Sequence, residues 1–138
     1  MMKALIRNLL SQVGLDIRRK QAGEVPYQSD GLTTLHNHSF LKNARYQQAL
    51  QRAIKADPGL SYMTWRLHVA LWAANHASRL EGNFVECGVN KGFLSSAIMD
   101  YLDWNHQGRD FYLFDTFEGI VADQLSEDEL QSGRLEYN

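Results

Sequence analysis

Asn83-Phe84-Val85-Glu86-Cys87-Gly88-Val89-Asn90-Lys91-Gly92 is the stretch whose reading decides the fold. An apolar run ends in an acid, a glycine turn follows, and a helical pattern begins. A strand that enters a glycine-rich turn and then a helix start gathers free backbone N–H groups and the positive end of a helix dipole at one point, where an anionic group of a small molecule can sit. The second half of the reading is Arg109 to Phe117, where the strand-like run Phe111-Tyr112-Leu113-Phe114 ends in Asp115. In an open α/β sheet the acid at the end of the second strand lies beside the first glycine turn, within reach of a ribose diol. Together the two stretches outline a nucleoside-binding crevice.

Between them, residues 91–103 present Leu94, Ala97, Ile98, Tyr101 and Leu102 at i, i+3, i+4, i+7 and i+8, the face of a helix packed on the strand it leaves. Residues 104–108 form a turn, and the right-handed crossover rule makes the second strand parallel to the first. Upstream, residues 62–80 read as a helix closed by Glu81-Gly82. Trp65, Leu67, Val69, Leu71, Trp72, Ala73 and Ala77 make it apolar around much of its circumference, as in a helix buried against a sheet or between helices. A further helix over 40–56 is capped by Ser39 and stopped by Asp57-Pro58-Gly59. Residues 21–38 are polar, contain Gly23, Pro26 and Gly31, and read as a linker or irregular loop. After the second strand, Ser126-Glu127-Asp128-Glu129 has capping-box spacing and opens a short acidic helix.

The expected fold class is therefore α/β: N-terminal helices, then the first βαβ part of a Rossmann-like sheet. The organisation is a basic amphipathic helix at 1–20, a linker or loop at 21–38, a helical region at 39–80, and the first part of the ligand-binding domain at 81–138.

The 138 residues are within the range of one domain, and 44% hydrophobic content with a net charge of -2 is that of an ordinary globular protein. No global basic footprint for nucleic acid is present. A single cysteine, Cys87, rules out an internal disulfide and fits a reducing, cytoplasmic setting. Charge is segregated. Residues 1–20 carry Lys3, Arg7, Arg18, Arg19 and Lys20 against Asp16, with Leu5, Ile6, Leu9, Leu10, Val13 and Ile17 at helical spacing. That segment either docks on an anionic membrane surface or a partner, or packs on its own domain. His36 and His38 alternate in the loop without a third ligand nearby, and His68 and His76 share a helix face. Both pairs read as ordinary loop and core histidines rather than metal ligands.

The turn after the first strand discriminates among phosphate cradles. A P-loop ends in Gly-Lys-Ser/Thr, whereas Gly92 is followed by Phe93. A dinucleotide fingerprint places a second glycine two residues after the first, and that position is Asn90. What remains suits a nucleoside with a small charged tail and no pyrophosphate, and S-adenosylmethionine is such a ligand. Glu86 can receive its ammonium, Gly88 keeps the turn bare where it passes, the helix start near Gly92 favours its carboxylate, and Asp115 holds the ribose hydroxyls. A lone strand-glycine-helix unit is also shared by α/β folds with unrelated roles.

Glu81-Gly82-Asn83-Phe84-Val85-Glu86-Cys87-Gly88-Val89, then Lys91-Gly92, then Tyr112-Leu113-Phe114-Asp115-Thr116-Phe117-Glu118-Gly119, resemble the macrocin O-methyltransferase family of class I S-adenosylmethionine-dependent enzymes. The resemblance runs from about Tyr62 to Ile120. It implies a Rossmann-like sheet of seven strands, S-adenosylmethionine as cofactor, magnesium in the complete enzyme, and methylation of a hydroxyl on a sugar or glycosylated natural product. It further implies that Glu86, Gly88, Val89, Asn90, Gly92 and Asp115 line the donor site and that Thr116 and Phe117 flank its adenosine. Met63, Thr64 and Arg66 correspond to a family stretch that closes over the donor. Where the family carries a glycine and a small hydroxyl residue after Gly92, this chain has Phe93-Leu94, and either Ser95 or Ser96 takes over the polar contact or the carboxylate end is held differently. Cys87 belongs to the motif and is expected as a small buried apolar residue.

The family's metal-binding carboxylates and base lie on later strands, and Asn138 follows soon after the second strand. The expectation is thus an N-terminal part with the donor side present, its catalytic residues unknown, and homo-oligomerisation allowed. The competing expectations are a non-catalytic truncated remnant or interaction module that needs a partner, and a nicotinamide enzyme, disfavoured by Asn90.

Overall fold

The structure, a computed structural model, describes residues 26–132 and is mixed α/β. Two short strands, β1 (Tyr27–Ser29) and β2 (Leu32–Thr34), pair antiparallel. Helices α1 (Ala44–Ala56) and α2 (Thr64–Ala77) follow. Strand β3 (Phe84–Cys87), helix α3 (Phe93–Leu102) and strand β4 (Phe111–Phe114) form a βαβ unit, and the short helix α4 (Glu127–Gln131) comes last. The two strands are parallel, with Phe84 opposite Phe111 and Cys87 opposite Phe114, the arrangement that a helical crossover serves.

Residues 26–34 correct the expectation of a linker or loop. Asp30 and Gly31, with φ of 56° and 69°, make the two-residue turn whose twist suits a hairpin. The hairpin is tied to the start of α2. Tyr27 Oη meets Thr64 Oγ1 at 2.5 Å, Ser29 Oγ donates to the Tyr62 carbonyl at 2.9 Å, and the Asp30 carboxylate accepts from the Arg66 backbone N–H at 2.8 Å and from its Nε at 2.6 Å. Met63, at the N-cap position of α2, offers no side-chain cap. Asp30 fills that role from another element, on the third helical N–H that a local cap would serve.

The Asp30 side chain is 1% exposed. Burial alone would raise its pKa, but the hydrogen bonds and charge of Arg66 outweigh it and hold the carboxyl below its ordinary value. A depressed folded pKa stabilises the fold above the unfolded value of about 3.9, and that contribution is lost as pH falls through the folded value. Asp30→Ala is expected to cost about 1–2 kcal/mol near neutrality, as loss of a cap does. Urea unfolding of both proteins at pH 7 and pH 3 checks this. The gap should narrow at low pH, and an equal gap at both values would show that the charge contributes nothing.

Asn43 caps α1, its Oδ1 accepting the Tyr46 N–H at 3.0 Å. Ser39 instead starts a 3₁₀ turn, Ser39–Lys42, which ends where Asn43 becomes extended. Helix α2 stops at Ala77, short of Leu80, and Gly82, with φ of 115°, belongs to the connection rather than to a left-handed cap. Along α2 only the stripe Leu67, Leu71 and Ala74 is buried, and Val69 and Trp72 are exposed among the described residues. The circumferential apolar pattern therefore overstates its burial here, because the helix buries only the stripe that joins the cluster with α1 and α3.

The core joins Tyr46, Ala49, Leu50 and Ala53 of α1, Met63, Leu67 and Leu71 from the α2 region, and Phe93 and Ala97 of α3. Ala49, Ala53 and Ala97 are each 0% exposed, and such small side chains let α1 and α3 approach closely. These two helices run antiparallel. Arg45 at the start of α1 donates to the Tyr101 carbonyl at 2.8 Å near the end of α3, and Gln48 reaches Asp100 at 3.1 Å. Phe84, Trp104 and Phe111 close the base of the sheet with ring centroids 5.1–5.7 Å apart. The opposite face of the sheet exposes Val85, Tyr112 and Phe114.

The capping box is formed: Ser126 Oγ accepts the Glu129 N–H, and Glu129 Oε2 accepts the Ser126 N–H at 3.1 Å. His68 stacks on Phe40 with centroids 4.0 Å apart, and burial lowers its pKa toward the neutral form. Among the described residues no helix is long and apolar enough to cross a membrane, and no group of three or more metal-ligand side chains converges. The expected basic helix at 1–20 lies outside the described residues.

Candidate functional site at the strand ends

Beyond Cys87 the ladder continues for one more bond, the Gly88 N–H donating to the Phe114 carbonyl at 2.8 Å. Gly88 then turns the chain with φ of 81°. A Cβ added there would meet nothing within 4 Å, so glycine is required for the backbone angle and the space above the turn is open. Asn90, with φ of 50°, directs its N–H onto Asp115 Oδ2 at 2.7 Å. Asp115 Oδ1 accepts the Phe117 N–H at 2.9 Å. One carboxylate thereby pins the turn after β3 to the loop after β4, and these two N–H bonds hold it below the usual carboxylate range. Thr116 Oγ1 donates to the Gly119 carbonyl at 3.2 Å and stiffens the same loop.

Glu86 points from β3 toward α3. Burial pushes its carboxyl above the ordinary range, opposed by the Ser95 hydroxyl. Its Oε2 is inaccessible and has no hydrogen-bond partner. A buried acceptor without a donor is costly, and such groups in folded proteins call for an explanation. Ser95 itself is 3% exposed and lies under Gly92, where an added Cβ would come within 3.3 Å of its Oγ.

A cleft of about 720 Å³ runs along α3 beside this turn. Val89, Asn90, Gly92, Ser95 and Phe117 are on its wall, whereas Glu86, Gly88, Asp115 and Thr116 stand at the strand ends off it. Of the expected site residues, Glu86 is brought to Ser95, and Asn90 and Phe117 to Asp115. Phe117 has φ of 55° and is 66% exposed, an uncommon backbone for a bulky residue, held by the Asp115 bond.

Two expectations are corrected. Cys87 is exposed, because it shares the uncovered face of the sheet with Val85. Thr64 and Arg66 are committed to the β1–β2 hairpin and Met63 to the core, so they bind parts of the chain itself. The sequence reading also missed Arg52, which α1 brings to the cleft wall with Lys91. Its spacing from Gln48 and Ala56, four residues each way, was the available signal, but it reads equally as a solvated helix face.

No family model, curated protein or solved structure matches the chain.

Proposed function

We propose that the chain binds S-adenosylmethionine at the C-terminal ends of β3 and β4, on a Rossmann-like sheet, and serves an O-methyltransferase that acts on a hydroxyl of a sugar or glycosylated natural product. The observation that carries this reading is the Asn90 N–H to Asp115 contact at 2.7 Å, which sets the acid of one parallel strand against the glycine turn of the other. The residues fit the donor: Glu86 keeps a buried oxygen without a partner, and the space over Gly88 is open.

When bound, the donor supplies an electrophilic methyl group. Glu86 receives the ammonium end, which satisfies its orphaned oxygen with a charge-assisted hydrogen bond. Asp115 accepts two N–H groups and, with about four lone-pair sites on a carboxylate, retains capacity for the ribose hydroxyls. Thr116 and Phe117 flank the adenosine, the exposed Phe117 ring offering a face to the base. Gly92 and Ser95 shape the start of α3 beside the carboxylate end. The resemblance assigns magnesium to the complete enzyme.

Asp115→Ala is expected to weaken S-adenosylhomocysteine binding about tenfold or more, since it removes the ribose acceptor and the pin between the two loops. Calorimetric titration measures it. Unchanged affinity would remove Asp115 from the ribose site, and tight binding of a nicotinamide dinucleotide would replace the methyl-donor reading altogether.

A second reading, a non-catalytic interaction module, is favoured by one feature: Val85, Tyr112 and Phe114 are 60%, 46% and 58% exposed on one sheet face. Apolar patches and open strand edges recruit other chains. Light scattering of the purified chain tests it, a stable monomer counting against a partner-dependent module.

A further inference from the structure

Resting on that functional reading, we propose that the cleft beside α3 receives a phosphate group carried by the acceptor, held by Arg52 of α1 and Lys91 of the glycine turn. Both side chains line the cleft, and neither has a hydrogen-bond or ion-pair partner among the described residues. The other charged side chains on the wall, Asp100 and Asp103, are engaged, Asp100 by Gln48 at 3.1 Å and Asp103 by His106 at 2.8 Å. The antiparallel packing of α1 on α3 separates the two signs. Gln48 marks the acidic end, where α3 finishes. Arg52, one helical turn further along α1, lies toward Asn90, Lys91 and Gly92, where α3 begins. The cleft is therefore polarised along its length, with Asp100 and Asp103 where α3 finishes and Arg52 and Lys91 toward its start.

A guanidinium matches two phosphate oxygens at once, and a lysine ammonium adds a mobile point charge. A volume of about 720 Å³ has room for a phosphorylated sugar, whose phosphate would meet both cations as a neutral glycoside does not. Gly92, Ser95 and Phe117, assigned above to the donor, share this wall, so the phosphate would sit next to the donor's carboxylate end. The inference adds to the functional reading that the acceptor is anionic, and that Arg52 and Lys91 select it.

The test uses glucose 1-phosphate and glucose as probes, titrated into the full chain at low salt and followed by NMR. Glucose 1-phosphate should bind with an affinity that falls as salt rises, and glucose should not. Arg52→Ala combined with Lys91→Ala should weaken the phosphosugar about tenfold or more, while Lys55→Ala, on the same helix but off the cleft wall, should leave it unchanged. Equal binding of both sugars, no phosphosugar binding, or insensitivity to the double substitution would overturn the proposal. So would a double variant that loses S-adenosylhomocysteine but keeps 5′-methylthioadenosine, since the cations would then hold the donor's carboxylate. Failure of the donor reading shows differently, as absence of S-adenosylhomocysteine binding to the unaltered chain.

Discussion

Glu86→Gln is expected to weaken S-adenosylhomocysteine binding by about tenfold to a hundredfold, the range for losing a hydrogen bond to a charged group. The same substitution should raise the melting temperature at pH 8. Both effects have one cause. In the absence of a ligand Glu86 holds a carboxylate oxygen out of reach of water with no donor, and burial pushes its pKa up, opposed only by Ser95. A carboxyl with a raised folded pKa favours the fold in its protonated form. Its contribution is fully present below the unfolded value of about 4.3 and is lost as pH rises through the folded value. Glutamine keeps the shape and the contact with Ser95 but has no charge to bury, so the variant's advantage should be present at pH 8 and vanish near pH 4. Titration calorimetry and thermal melts at the two pH values measure both halves. If binding is unaffected, Glu86 does not meet the ammonium, whatever the melts show.

Leu67→Ala is expected to lower the unfolding free energy by about 3 kcal/mol, within the range for truncating a buried leucine. Among the described residues Leu67 is the largest fully buried side chain, at 0% exposed, and belongs to the cluster that joins α1, α2 and α3. The alanines at 49, 53 and 97 hold the α1–α3 contact close, so the backbones have little freedom to collapse into the space left behind. Domain stability is typically about 5–15 kcal/mol, so this one change removes a large share of it. Urea unfolding should show a lower midpoint with an unchanged slope. A loss below about 1 kcal/mol would mean that α2 is not packed against α1 and α3 as described.

The parts of the fold that could be read from residues alone are those with a local cause. The period of Leu94, Ala97, Ile98, Tyr101 and Leu102 specifies α3 because a helix repeats its faces every 3.6 residues. The capping box at Ser126 and Glu129 is local in the same sense, and the helical crossover between β3 and β4 suits their parallel pairing. The hairpin at Tyr27–Thr34 was legible too, in Asp30-Gly31, but it was obscured by polar flanks that look like a loop.

Other features depend on residues far apart in the chain. The acid that caps α2 is Asp30, which lies 36 residues from Arg66, and no motif spacing announces a cap borrowed from a hairpin. The Asn90–Asp115 bond spans 25 residues, and its geometry exists only because parallel pairing aligns the two strand ends. Arg52 reaches the cleft through the antiparallel docking of α1 on α3, which the apolar periods of the two helices permit but do not orient. Cys87 is exposed because the sheet leaves one face open, a property of how elements stack rather than of its neighbours in sequence. By itself the sequence determined the βαβ unit, its glycine turn and the acids at its strand ends, since propensity, periodicity and turn chemistry act over a few residues. Only the tertiary structure decided which charges are paired, which oxygen is buried without a donor, and which cations share a cleft, because burial and charge pairing depend on what other elements bring through space.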